Sequence, residues 1–283
     1  MEFLQYEFMQ RAMLAALMVG LAAPAVGISI VQRRLALIGD GLGHIALTGV
    51  AVGLLTSRSP VAVALVAAVV GGVVVELIRD RGRTSGDIAL AILFYGGIAG
   101  GVVIISQSPG GTPGNLNAYL FGAITTTTRG DLLVFAALTV VVLLLCLGLR
   151  RELFAVSNDE EFARAAGLPV LGLNLLLSVL TATTVVLSMR VVGLLLISAL
   201  MVVPVATATL VSRSFRSTLV LSMAIGLLVS TSGVAASYYA DTPSGGTIVL
   251  LAIGLFAVFA VAVALREFVR RRQAVPSQRP AQS

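Results

Sequence analysis

LALIGDGLGHIALTGVAVGLL, residues 35–55, is an apolar run holding one carboxylate and one imidazole, Asp40 and His44, four residues apart. On a helix that spacing is one turn, so both side chains leave the same face. His44 is the only histidine of the 283-residue chain. The run is long enough to cross a hydrocarbon core, which takes about 20 residues. Ionisable groups at that depth are expensive and mark a site or a pathway. One oxygen donor and one nitrogen donor together suit a divalent transition metal. A hydrogen bond between the two that only ties helices together is the plainer alternative.

Working outward, the whole composition belongs to lipid. Hydrophobic residues make up 58% of the chain and charged residues 11%, against about one quarter charged in an ordinary soluble domain. Mean hydropathy is +1.02 and the isoelectric point is near 10.4. Lysine is absent, so every basic side chain is an arginine. The arginines stand singly or in short groups between apolar runs without interleaved aromatics, a pattern of topology signals and not of a nucleic-acid surface. Cys146 is the lone cysteine and lies in an apolar run, which excludes a disulfide framework or a multi-cysteine metal site within one chain. The N-terminus carries Glu2 and Glu7 and lacks the basic start of a cleavable signal peptide.

Apolar stretches of membrane-crossing length occur at 12–31, 35–55, 60–78, 88–106, 132–149, 171–189, 192–211, 217–238 and 247–265. The expected fold is an all-α integral membrane protein, a polytopic bundle of eight or nine transmembrane helices. The count of eight arises if 171–189 and 192–211, joined by a short turn around Arg190 and Gly193, are not separate spans. Placing the C-terminus in the cytoplasm leaves only Arg11, Arg58, Arg129 and Arg190 of the 19 arginines outside, the orientation that positive-inside bias favours. The transmembrane domain is expected to occupy 1–265, followed by a cytoplasmic tail, 266–283, that is disordered from Gln273 onward.

The loops differ in character. QSPGGTPGNLNA, 107–118, is uncharged and rich in Gly, Pro and Asn, which suits an outer loop. YLFGAITTTTRGD after it reads as a short helix or surface turn. RRELFAVSNDEEFARAAGLP, 150–169, is the longest inner connection. Ser157 or Asn158 can cap a short helix whose first turn holds Asp159, Glu160 and Glu161 at the positive end of its dipole. Gly167 and Pro169 stop it. Phe162, Ala163 and Ala166 are then available for contact, and Glu160 is a rim charge. A capped surface helix without a partner is the alternative.

A phosphate-binding loop needs a lysine to reach the terminal phosphates, so this chain cannot hydrolyse ATP by that route, and no hydrolase motif is present; it reads as a non-enzyme. Helix packing in lipid relies on small residues, and Gly39 with Gly43, then Gly49 with Gly53, form two GxxxG steps that let other backbones approach beside Asp40 and His44. Glu76, next to Arg79 at the inner end of a span, reads as an ion-paired, snorkelling acid. Pro204, with Thr207 and Thr209 nearby, is expected to kink its helix.

VQRRLALI followed by GDGLGHIALTGVAVG resembles the RR-x-x-x-x-GDA-x-SHA-x-x-G segment of the permease subunits of zinc and manganese ABC importers. TSGDIALAILFYGGIAGGV, YLFGAI, NDEEFARAAGLPV, MRVVGLLLISALMVVPVATA and SYYADTPSGGTIVL are similar to further segments of that family, in its order, from about residue 4 to 265. The resemblance implies a type II-like importer permease in a bacterial inner membrane. It also implies a homodimeric pore, a separate cytoplasmic ATP-binding cassette subunit docked on each permease, and an extracytoplasmic metal-binding protein. Asp40 and His44 match the family's metal-passage pair, and 157–167 matches its coupling helix. Zinc or manganese would be bound only transiently, with no resident cofactor. Gly41, Gly43 and Ile45 depart from the pattern at Ala, Ser and Ala; the lost serine hydroxyl touches any supporting role there, not the two donors.

One copy supplies two ligands, and two copies across an axis would supply two carboxylates and two imidazoles. A proton-coupled secondary carrier would use the same pair as a relay but needs no docking helix, and no inverted repeat is evident. A non-transporting scaffold would tolerate loss of both residues.

Overall fold

The computed structural model describes residues 5–82, 86–107, 116–122, 129–189, 192–194 and 196–273. Twelve helices make up the described chain: α1 Glu7–Gln32, α2 Ile38–Leu55, α3 Pro60–Asp80, α4 Gly86–Ser106, α5 Leu116–Phe121, α6 Arg129–Gly148, α7 Arg150–Asn158, α8 Glu160–Ala165, α9 Val170–Ser188, α10 Ile197–Val211, α11 Phe215–Ala240 and α12 Ser244–Gln273. No strand occurs among the described residues. Residues 108–115, the body of the Gly-Pro-Asn loop, and 274–283, most of the polar tail, lie outside them.

Seven helices are long and apolar enough to cross a membrane: α1, α2, α3, α4, α9, α11 and α12. The α6–α7 pair, bent by 68°, makes an eighth if counted as one broken span. The ninth stretch expected from the sequence is cut short, because α10 has only 15 residues, a rise of about 22 Å against a core of about 30 Å. Its expected start at 192 fails for a backbone reason. Gly193 takes φ +88°, and Leu194 N–H is drawn off to the Tyr119 carbonyl of α5 at 2.9 Å. At the other end α12 continues to Gln273, so the 266–283 segment begins as a helical extension of the last span.

α1 is the most enclosed span, with Ala12, Ala15, Ala16, Ala23 and Val26 fully buried. It packs against α6, α9, α10 and α11. Small residues set these distances: a methyl group at Gly27 would stand 2.0 Å from the Met201 carbonyl oxygen, and the Ser230 hydroxyl donates to the Ala16 carbonyl at 2.8 Å. α2 lies between α3 and α4. Large apolar side chains are left exposed on α3 (Val66), α4 (Ile92), α6 (Leu133) and α12 (Leu250), the faces that a hydrocarbon solvent would cover.

The turn between α1 and α2 decides where the carboxylate falls. Arg34 adopts φ +58°, its N–H donates to the Val31 carbonyl at 3.1 Å, and Leu35 N–H donates to the Ile30 carbonyl at 3.0 Å. This pair of bonds is the Schellman C-cap, here with arginine in the left-handed position usually taken by glycine. α2 therefore begins at Ile38, and Asp40 belongs to its first turn. The sequence had placed both donors inside a span starting at 35.

Candidate functional site

Asp40 and His44 leave the first two turns of α2 and both are half-buried. An acid in the first turn of a helix is favoured by the partial positive charge of the exposed N–H groups. A second helix start meets it: the Ser198 hydroxyl, in the first turn of α10, donates to Asp40 Oδ1. His44 stacks edge-on against Phe94 of α4, with ring centroids 4.5 Å apart at 78°. One cleft, of about 420 Å³, opens on Asp40 between Leu37, Leu90, Phe94 and Tyr95. Another, of about 300 Å³, opens on it between Ala36, Ser198, Ala199 and Val202. Asp40 thus stands between two openings, one toward α4 and one toward α10.

The glycines of α2 divide by face. A Cβ at Gly39 would meet Ser198 Cβ at 2.9 Å, and one at Gly43 would meet the Leu194 carbonyl oxygen at 3.0 Å. These two let the start of α10 and the strap before it lie against the donor-bearing turns. Gly49 and Gly53 serve the other side, with Ala64 Cα at 2.6 Å and Pro60 Cα at 2.7 Å from their would-be Cβ positions on α3. A side chain at position 43 would press on the Leu194 carbonyl; the hydroxyl that meets Asp40 comes from Ser198. Pro204 is buried in the middle of α10, which runs through it unbroken, and the Thr207 hydroxyl donates to the Val203 carbonyl at 2.8 Å.

α4 reaches α2 through Gly97. The Thr48 hydroxyl donates to the Gly97 carbonyl at 2.7 Å, and a methyl at Gly97 would stand 2.7 Å from both the His44 carbonyl carbon and Ile45 N. Gly96, its neighbour, faces open space. Gly97→Ala is therefore expected to push α4 off the histidine and lower stability by about 1–3 kcal/mol. Gly96→Ala should leave it within about 0.5 kcal/mol. Thermal unfolding of the two variants in detergent checks the pair; equal midpoints would contradict the contact.

The connection expected to dock a partner is two helices, not one. Ser157 and Asn158 end α7, with Ser157 buried, and neither caps α8. The cap is Asp159, whose side chain accepts from Phe162 N–H at 2.9 Å. The reason is the bend after α6, which starts α7 one residue later and carries the helix through 158. Glu161, Phe162, Ala166 and Gly167 are exposed. Ala163 is not available for contact: it is fully buried with Val156, Val170 and Leu173. Gly167, at φ +81°, closes the helix as expected. Glu160 is no rim charge either. It accepts from Asn174 Nδ2 at 2.6 Å and faces Arg79 at 3.6 Å.

Among the described residues no group of three or more His, Cys, Asp or Glu side chains comes together, so Asp40 and His44 are the donor set one chain offers at this place. A helical membrane bundle of this build, with Asp40 open to a cleft on either hand and His44 one turn further on, has the architecture of a transport permease. The chain belongs to the ABC 3 transport family, whose model matches residues 5–264.

It is 33% identical over 273 residues to a probable metal transport system membrane protein of Treponema pallidum, covering 95% of this chain and 99% of that one. It is 32% identical to the manganese transport system membrane protein MntC of Halalkalibacterium halodurans, covering 91% and 88%. The solved structure of PsaBC from Streptococcus pneumoniae in complex with Fab superposes with a TM-score of 0.81 at 30% identity, covering 91% and 94%. A solved ABC transporter in an inward-facing conformation shares the fold, with a TM-score of 0.72 at 20% identity over 89% and 85%.

Proposed function

We propose that this chain is the permease subunit of an ABC importer that carries a divalent transition metal, manganese or zinc, into the cytoplasm. The observation that carries this reading is Asp40 at the start of α2, open to a cleft on each side and braced by Ser198, with His44 one turn further along the same helix. Two donors are too few for a metal site of four ligands. A second copy of the chain, related by a two-fold axis, supplies the other two, so the working pore is a homodimer. Energy comes from a separate cytoplasmic ATPase seated on α8, and an extracytoplasmic metal-binding protein delivers the ion. The ion is cargo and dwells at the pair only in passage, with no resident cofactor. The relatives named for manganese transport support manganese as the first metal to test.

The experiment is uptake of isotopic manganese, zinc and iron into cells expressing this chain with and without its ATPase partner. Uptake of one metal that needs both subunits is expected. Uptake that persists without the ATPase would favour the proton-coupled carrier.

The membrane is the bacterial cell membrane, with the C-terminus inside, as the arginine distribution indicates. A cysteine at Gly246, where nothing crowds an added side chain, should react with an impermeant thiol reagent from outside. One at the exposed Glu161 should react only after the cells are opened. Cys146 is buried and gives little background. Outside labelling at position 161 would invert the topology.

A further inference from the structure

At the opposite end of α3 from the Pro60 contact, six charged side chains from three elements meet. Glu76 of α3 accepts from Arg79 at 2.8 Å and from Arg33, the last residue of the α1 cap, at 3.4 Å. Arg79 reaches Glu160 of α8 at 3.6 Å. Arg164 of α8 closes a second link to Asp80 at 2.7 Å and stands 3.8 Å from Glu160. Asn174 of α9 donates to Glu160. Three arginines and three acids balance, and the inner pair is nearly dry, with Arg33 and Glu76 side chains 6% and 2% exposed.

A buried ion pair is a poor source of stability, because desolvation offsets most of its attraction. α8 does not need it as a seat either, since Ala163 already packs into Val156, Val170 and Leu173. What the cluster adds is direction. By apolar contact, and by the Asn174 bond to Glu160, α8 is attached to α7 and α9; by charge it is attached to α3 and, through Glu76, to the turn that leads into α2. α3 in turn is held to α2 at backbone distance through Gly49 and Gly53. A continuous line of contacts therefore runs from the exposed Phe162 turn through Glu160, Arg79 and Glu76 to Arg33, seven residues before Asp40.

We propose that Glu160, Arg79, Glu76 and Arg33 form an ionic strut that makes α8 and the donor-bearing start of α2 move as one body, so that force passes through α3 and not along the chain from α8 into α9. These are positioning residues; none touches the cargo. The inference rests on α8 being the ATPase-docking helix.

The test uses the complex of permease and ATPase in sealed vesicles, reading three quantities: ATPase co-purification, ATP hydrolysis, and isotopic manganese moved per ATP. Arg79→Gln removes the cationic link between Glu76 and Glu160 and leaves only the neutral amide of Asn174 between them. The expected result is unchanged co-purification and continued hydrolysis, with metal per ATP reduced about fivefold. An unchanged ratio overturns the strut. Loss of co-purification overturns it too, since Arg79 would then belong to the docking surface.

A second arm does not depend on a weakened variant. Asp80→Cys with Arg164→Cys, joined by a short bifunctional thiol reagent, ties α8 to α3. If the two move together, metal per ATP stays within about twofold of the unlinked protein. Arrest of uptake on linking means that α8 must slide against α3, which overturns the proposal. Failure of the docking reading itself shows elsewhere, as ATPase binding that ignores Phe162, and is not confused with either arm.

Discussion

Asp40→Asn is expected to abolish metal uptake, by about a hundredfold or more, while the protein inserts and binds its ATPase as before; His44→Ala should do the same. The asparagine is the more telling change. It keeps the volume of Asp40 and an oxygen that can still accept from Ser198, so a pair that served only to pin α10 to α2 would survive it. What it removes is the charge, and a dication relies on that charge for binding at a site of so few donors. Replacing His44 with alanine also removes the ring packed on Phe94, so Phe94→Leu is a useful companion that disturbs the packing and leaves the nitrogen. Ser198→Ala should fall between, about tenfold, as supporting hydrogen bonds to metal ligands usually do. Uptake of isotopic manganese and zinc into vesicles decides the matter, and normal rates in Asp40→Asn would falsify the metal-passage role.

Phe162→Asp should release the ATPase and stop uptake. Phe162 is 67% exposed on a six-residue helix, where a large aromatic has no internal reason to point outward. Aromatic anchors that fill a partner's pocket contribute about 2 kcal/mol or more, so the exchange for a carboxylate should weaken association by about thirtyfold. The helix itself should persist, because the Asp159 cap bonds the backbone N–H of residue 162 and not its side chain. Ala163→Asp makes the contrast: it places a charge in the buried seat and should unfold the α7–α9 corner outright. Co-purification and circular dichroism separate the two. Retained ATPase binding in Phe162→Asp would leave α8 a capped surface turn.

Most of the helical layout was legible in the sequence, because apolar runs of membrane length have few alternative uses. The misreadings share one cause, which is that local signals do not record what happens between distant segments. Asp40 looked like a mid-span residue because nothing in Arg33-Arg34 announces a left-handed backbone; glycine would have. Ser198 was silent, a hydroxyl within an apolar run, until the start of α10 was brought against α2. Ser157 and Asn158 are good capping residues by type, but the bend after Gly148 used them to finish α7. Glu160 looked like a rim charge because Arg79 and Asn174, the groups that hold it, lie on other helices. Gly39 and Gly43 were legible as close-approach positions; which neighbour would use them was not.

The meeting of two helix starts at Asp40 has a kinetic side. Asp40 stands in the first turn of α2 and meets the first turn of α10 through the Ser198 hydroxyl, and a helix start carries a partial positive charge of about one half. Part of the carboxylate's field is thus answered before any ion arrives. For a cation the result is a shallow electrostatic well, and residence time falls steeply as a well becomes shallower. On the proposed metal-passage reading such a residue suits throughput over storage, because the two helix starts that meet the acid would shorten the stay of the ion it receives.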